Sequence, residues 1–355
     1  MKTDFTVQEH VPLADKTTLK IGGAARFFVE AKDRTEVVEA VRFAEEKRLE
    51  IFILGGGSNV LIADEGFPGL VLHINLKGIG LGDKIDESVR VTAQAGEDWD
   101  EFVKFCVVED LAGIETLSGI PGCVGGTPVQ NVGAYGQEVS ETISSVDVFD
   151  RRLKRFDVLL NAQCNFRYRT SIFNTTEKNR YIVLAVTYDL TPGGEPKIVY
   201  ADLKKYFGGR KPTLPEARRA VIEIRRAKSM VIDEHDPNSR SAGSFFKNPI
   251  VSGAEFAEIS ENARSAKIES VPHYLMDDAS VKIPAAWLIE NAGFHKGFRR
   301  GKAGLSTRHT LAVVNLGGAA ARDILDLKEE IQKTVKSVFG VTLETEPVFV
   351  GFGRK

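Results

Sequence analysis

The chain has 355 residues, with 47 Lys or Arg against 49 Asp or Glu and a formal net charge of −2. Apolar residues make up 43% and charged residues 27%, a composition that suits a globular protein of two or three domains needing no disulfide staples. A balance this near zero argues against nucleic-acid binding, and three scattered cysteines, Cys106, Cys123 and Cys164, exclude a disulfide framework and offer no metal-ligand spacing.

The stretch MKTDFTVQEH has no apolar signal core, and no apolar run approaches the roughly 18–20 residues of a membrane span. A cytoplasmic protein with no membrane or metal partner is expected. Residues 35–48 place Val37, Val38, Val41 and Ala44 on one helical face, with Asp33 or Thr35 as cap. The apolar run 51–54 reads as a buried strand entering Gly55-Gly56-Gly57, and 70–74 and 89–93 read as further strands. Residues 98–110 are helical in pattern, with Phe102, Phe105, Cys106 and Val107 apolar-facing. Residues 113–136 are rich in glycine and poor in charge, which fits an ordered loop lying against something rather than a linker. Strands are expected at 145–150 and 181–190. The Pro/Gly-rich run 191–216 is the best candidate for an inter-domain connection. Then follow helices at 215–229, 283–292 and 319–338, a strand at 311–315 and an extended segment at 341–350. The basic pairs Arg151-Arg152, Arg218-Arg219, Arg225-Arg226 and Arg299-Arg300 read as solvated faces. The fold class is α+β.

Two loops carry the clearest chemistry. In Gly55-Gly56-Gly57-Ser58-Asn59, three glycines remove every Cβ, so backbone N–H groups can approach a phosphate, and Ser58 and Asn59 add polar partners. A plain tight turn is the competing reading. Neither GxGxxG nor GxxxxGK[ST] occurs. The second loop holds Gly119, Pro121, Gly122, Gly125, Gly126 and Thr127, then Asn131, Gly133, Ala134 and Tyr135. Its glycines suit close passage of a flat or phosphorylated ligand. Cys123 reads as a packed residue, since no histidine is near it in sequence. Together the loops favour a bulky nucleotide cofactor.

TLKIGGAARF (18–27), LGGGSNVL (54–61), GIPGCVGGTPVQNVGAYGQEV (119–139), FRYRTSIF (166–173) and GSFFKNP (243–249) occur in order. With these five motifs the chain resembles the UDP-N-acetylenolpyruvoylglucosamine reductases over about residues 17–351. The resemblance implies an FAD-binding fold of the vanillyl-alcohol-oxidase (PCMH) type in two subdomains, 1–67 and 68–215. A C-terminal α+β substrate-binding domain would follow at 216–355. It implies FAD as cofactor, wrapped by Gly55–Asn59 and 121–136, and NADPH as co-substrate. It also implies transfer of hydride to the β-carbon of UDP-N-acetylglucosamine enolpyruvate. A monomer is expected.

Each residue role carried over has a plainer reading beside it. Ser244, in Gly-Ser-Phe-Phe-Lys-Asn-Pro, matches the proton donor to the α-carbon, and is otherwise a turn serine. Arg169 matches the arginine facing the substrate carboxylate, and the Tyr-Arg-x-Ser spacing selects it over Arg167. Glu346 matches the C-terminal glutamate that stabilises the enolic form, with Glu344 as the alternative by a two-residue slip. Tyr200 resembles a tyrosine placed over the bound substrate, and Arg225, Lys228, Lys247 and Asn248 resemble contacts to its diphosphate and uridine. His309 stands where the family places a polar substrate contact, and is equally readable as structural. The polar stretch 231–242 is longer than the family pattern and reads as solvent-facing. Two other readings stay open: an FAD oxidase or dehydrogenase of the same cofactor fold, and a non-catalytic flavin-binding protein.

Overall fold

The structure is a computed structural model and describes residues 5–276 and 278–353. The chain forms two compact units. The first holds the described residues up to Val11 together with Ala24–Gly57 and Phe67–Val231. The second holds Pro12–Gly23, Ser58–Gly66 and the described residues from Ile232 onward.

The first unit carries two large sheets and a two-stranded one that pairs Gly133–Ala134 with Gln137–Glu138. One has four strands in the order Gln8–Pro12, Ala24–Ala31, Phe67–Ile74, Ile51–Leu54, the last three parallel. Helix α1 (Arg34–Glu46) crosses between the parallel strands and buries Val37, Ala40, Val41 and Ala44. Asp33 caps it by accepting from Glu36 N–H, as the sequence suggested. The second sheet is antiparallel. Its main path runs Arg155–Leu160, Ile143–Asp150, Tyr181–Pro192, Ser88–Gln94, Ile79–Ile85. Helix α2 (Trp99–Val108), capped by Asp98, buries Trp99, Phe102, Val103, Cys106 and Val107. Trp99 and Phe102 pack against Tyr188 of the central strand.

The run 191–216 is not a bare connection. It contains α3 (Ala201–Phe207), whose Leu203 and Phe207, four apart on one helical face, are buried with Ala220 and Val221. Those two alanine and valine positions lie on α4 (Leu214–Ala227), which starts at a Thr213/Glu216 capping box and spans the expected 215/216 boundary. The first unit runs on to Val231. Burial also separates the basic pairs. Arg225 is 6% exposed and Arg218 is ion-paired, whereas Arg299-Arg300 form an exposed strand.

The second unit has a four-stranded sheet in the order Ser241–Ser244, Ala312–Asn315, Ala303–Leu305, Arg299–Arg300. Helix α5 (Gly253–Ser265) opens with a Ser252/Glu255 capping box, and α6 (Ala285–Asn291) follows it. Helix α7 (Ala321–Phe339) buries Ile324, Leu327, Ile331, Val335 and Phe339, and stops at left-handed Gly340. Of the extended stretch 341–350, only Val348–Val350 is a strand, pairing in parallel with Val60–Ile62. The polar stretch 231–242 is more than a solvent-facing loop. It forms a short turn at Pro237–Ser239, Ser239 is buried, and Asn238 Oδ1 accepts from Thr307 N–H.

Helix α4 ends in a left-handed residue, Ser229 (φ 54°), where glycine is favoured. Its hydroxyl is buried and has no hydrogen-bond partner. Ser229→Gly removes both penalties, so we expect stability to rise by about 1 kcal/mol, read as a higher Tm by thermal denaturation.

Candidate functional site

The glycines divide into those that pack on protein and those that do not. A Cβ on Gly56 would lie 2.8 Å from Gly122 Cα, so the two loops meet backbone to backbone inside the first unit. A Cβ on Gly125 would lie 2.6 Å from Ala95 Cβ. By contrast, a Cβ on Gly126 would meet nothing within 4 Å, and one on Gly55 only Cys123 Cβ at 3.9 Å. The loops therefore leave an open, side-chain-free backbone cradle where a phosphorylated or flat group fits. Burial raises the Cys123 thiol, which suits a packed residue better than a nucleophile.

The second loop is held by its peptides. Gly122 C=O accepts from Trp99 N–H, Val124 N–H donates to Glu97 C=O, and Gly125 N–H donates to Ala95 C=O. Thr127 Oγ1 and Tyr188 Oη share a hydrogen bond of 2.8 Å. At its start, Gly119 N–H donates to Asp100 Oδ1 (2.6 Å) while Gly119 C=O accepts from Arg225 Nε (3.1 Å). Arg218 donates to both oxygens of Asp100, at 2.5 and 2.9 Å. Burial alone would raise the Asp100 carboxyl. The hydrogen bonds from Arg218 and Gly119, with the charges of Arg218 and Arg225, outweigh it and hold the group below its ordinary range. Arg225 also donates to Met230 C=O, and burial lowers its pKa.

Further along, Asn131 (φ 44°) donates to Glu138 and to Arg167 C=O, and accepts from Ser140 N–H. This ties the loop to the segment that carries Arg169. Arg169, itself left-handed (φ 57°), donates from Nη2 to Gly133 C=O at 2.7 Å. Tyr135 meets Tyr200 edge to face at 5.4 Å, and packs with Ala134 against the Leu203/Phe207 cluster. Burial raises the Tyr135 phenol, while Arg225 and Lys228 pull it the other way. Lys228 Nζ pairs with Asp202 at 2.6 Å. Burial alone would lower the Lys228 ammonium, but Asp202 and the two tyrosines outweigh it and raise it. The first unit thus gathers Gly55–Gly57, the 121–135 residues, Arg169, Tyr200, Arg225 and Lys228.

The second unit gathers Ser58, Asn59, Ser244, Lys247, Asn248, His309 and Glu346. Ser244 ends its strand opposite Ala312, after a register shift and a left-handed Gly243 (φ 72°). Its Oγ lies 3.4 Å from His309 Nε2. Phe245 C=O accepts from Glu346 N–H, and Lys247 N–H donates to Glu344 C=O, so the 244–247 and 344–346 backbones run together. Glu344 pairs with Lys247 at 3.4 Å, while Glu346 C=O accepts from Asn59 Nδ2 at 3.3 Å. Asn248 Oδ1 caps α6 by accepting from Ala285 N–H. The sequence reading missed Asp100, Asp202 and Glu138, the acidic partners of the basic and amide groups it singled out. Asp100 stands 118 residues from Arg218, so no local pattern betrays that pair.

Comparison with known proteins follows this division. Residues 25–152 match the model of an FAD binding domain, and residues 236–350 match that of the C-terminal domain of UDP-N-acetylenolpyruvoylglucosamine reductase. The chain is 46% identical over 357 residues to the UDP-N-acetylenolpyruvoylglucosamine reductase of Thermobifida fusca, covering 99% of each chain. It is 43% identical over 347 residues to that of Streptomyces coelicolor, covering 96% of this chain and 89% of the other. The crystal structure of the corresponding reductase from Thermus caldophilus superposes with a TM-score of 0.65 at 25% identity, covering 97% of this chain and 100% of that one.

Two outcomes test this geometry. Gly56→Ala forces the loops apart at their point of contact, so the purified protein should carry less flavin per chain, read from its visible absorbance. Asp100 has a folded pKa below its unfolded value, so its contribution is present above about pH 3.9 and fades as pH falls through the folded value. Asp100→Asn should cost about 2 kcal/mol near pH 7, and the difference in Tm from the unsubstituted chain should close on acidification below that window.

Proposed function

The chain belongs to the UDP-N-acetylenolpyruvoylglucosamine reductases, and from that premise we infer that it reduces UDP-N-acetylglucosamine enolpyruvate for peptidoglycan precursor synthesis. FAD is the cofactor and NADPH the reducing substrate. The observation that carries the reading is the open glycine cradle of one unit, together with a serine presented on a bulged strand in the other. We assign the cradle of Gly55–Gly57, Pro121, Gly122, Gly125, Gly126 and Thr127, with Ser58 and Asn59, to the FAD pyrophosphate. Asn131, Gly133, Ala134 and Tyr135 are assigned to the flavin end. FAD held there would supply the hydride relay from NADPH to the enolpyruvyl β-carbon.

The protein's own groups do the rest. Negative charge develops on the α-carbon and spreads into the carboxylate. Arg169 offers that carboxylate a fixed fork of donors, and its bond to Gly133 C=O sets where the fork sits. Ser244 Oγ–H gives its proton to the α-carbon, and Glu346 stabilises the enolic form. Glu346 is preferred to Glu344 because Glu346 is half-buried, whereas Glu344 is exposed and pairs with Lys247. Tyr200, Arg225, Lys228, Lys247, Asn248 and His309 are assigned to the substrate. For Arg225 and Asn248 that role adds to loop-holding and capping bonds already made.

The domain reading is part of the same proposal: 1–67 and 68–215 bind the cofactor, and 216–355 the substrate. The separate sheets of the first unit support a two-part cofactor domain. A working monomer is part of the same proposal. Among the described residues no helix is long and apolar enough to cross a membrane, which accords with a cytoplasmic location. An FAD oxidase of the same cofactor fold is less supported, because it has no use for a proton donor at Ser244.

Anaerobic spectra test the reading. Flavin bands should bleach with NADPH and return with UDP-N-acetylglucosamine enolpyruvate. Bleaching without return would favour the oxidase. Ser244→Ala should retain the NADPH step and slow the return by roughly 10²–10⁴-fold.

A further inference from the structure

We propose that His309 is the positioning residue that returns a proton to Ser244 during turnover, acting through the serine in place of the direct substrate contact assigned to it above. The proposal rests on the role given to Ser244 above.

A serine that protonates a carbon is left as an alkoxide. In a half-buried strand end that charge is costly unless a donor already faces it. Ser244 is half-buried, with Phe245 and Phe246 buried beside it. Among the described residues, His309 Nε2 is the only hydrogen-bond partner of Ser244 Oγ, at 3.4 Å.

The backbone builds this approach. The bulge between Ser241 and Ser244 brings Ser244 opposite Ala312. Ala312 N–H closes a turn on His309 C=O at 3.0 Å, and Phe245 N–H donates to Leu311 C=O at 2.7 Å. The turn therefore folds the imidazole back toward the residue that precedes Phe245. Bulges commonly re-aim a side chain at a functional site. His309 is itself half-buried, so one edge of the ring retains access to water, and histidine is the side chain that exchanges its proton with water at neutral pH.

The step balances. The Oγ–H bond breaks as the α-carbon–H bond forms. As that bond breaks, Oγ takes the Nε2 proton of the imidazolium, so the hydroxyl is regenerated in the same step, and the neutral ring takes its replacement from water. These proton transfers change no oxidation state, and hydride addition to the β-carbon stays reversible until the α-carbon is protonated, so net flavin reoxidation waits on the relay.

The experiment is rapid mixing of NADPH-reduced holoenzyme with UDP-N-acetylglucosamine enolpyruvate, for the unsubstituted chain, His309→Gln and His309→Ala. The NADPH step of each variant is the internal control for folding and FAD content. We expect the ratio of flavin reoxidation to reduction to fall roughly 10²-fold in both variants, with the half-saturating substrate concentration within about twofold of the parent, and free imidazole to restore His309→Ala at least about tenfold. A variant that reoxidises at the parent rate overturns the relay. So does a raised half-saturating concentration with no imidazole rescue, which would leave His309 as a substrate contact alone. If the unsubstituted chain is not reoxidised by this substrate, the function proposed above fails, a result distinct from either.

Discussion

One peptide group, that of Gly119, governs the first unit. Its N–H is held by Asp100 from α2 and its C=O by Arg225 from α4, while Arg218 neutralises Asp100. A hydrogen bond to a charged group contributes roughly 1.5–3 kcal/mol, but burying an arginine costs several kcal/mol. Arg225 is tolerable inside because loop carbonyls at Gly119 and Met230, the Tyr135 hydroxyl and the charge of Asp100 engage it. The same arginine acts on Tyr135, so the start of the glycine loop and its far end share one buried cation. Fixing two helices relative to this peptide fixes the trace of the backbone that the cofactor must meet.

The second unit solves a different problem, that of presenting a short side chain. Serine cannot reach far, so the backbone must deliver it. The bulge before Ser244, the left-handed Gly243 and the pairing of 244–247 with 344–346 do this with main-chain bonds alone. Side chains are thereby left for chemistry. Asn59 Nδ2 is spent holding Glu346 C=O, and Glu344 is spent on Lys247. The two glutamates, nearly interchangeable in the sequence, differ in burial, Glu346 being half-buried and Glu344 exposed.

Much of the local structure was legible. Helices α1 and α2 follow from apolar spacing, α1 also from its aspartate cap, and the 51–54 strand from its glycine stop. The 113–136 stretch is an ordered, packed loop, because low charge with many glycines leaves burial as the stable option. What escaped was long-range. Arg225 reads as half of a basic pair, and nothing nearby in sequence says that a carbonyl 106 residues away will bury it. Helix α3 was hidden among prolines and glycines, although Leu203 and Phe207 have helical spacing. Helix α5 was missed despite the Ser252/Glu255 capping box, because its face buries little beyond Ile259 and Ala263.

The pairing of Val60–Ile62 with Val348–Val350 sets a condition on how the chain is made. Asn59 and Glu346, which bracket that pairing, stand 287 residues apart. A ribosome adding about 5–20 residues per second needs on the order of tens of seconds to span that interval. Throughout it, Leu61 and Ile62, fully buried in the finished protein, are synthesised without their partner. The glycine turn just before them can settle as soon as its own unit folds, whereas Asn59 cannot find Glu346 until the last stretch emerges. The 55–57 turn can therefore settle before the proton-donor unit is complete, and the nascent chain carries an apolar strand in need of shielding until translation is nearly complete.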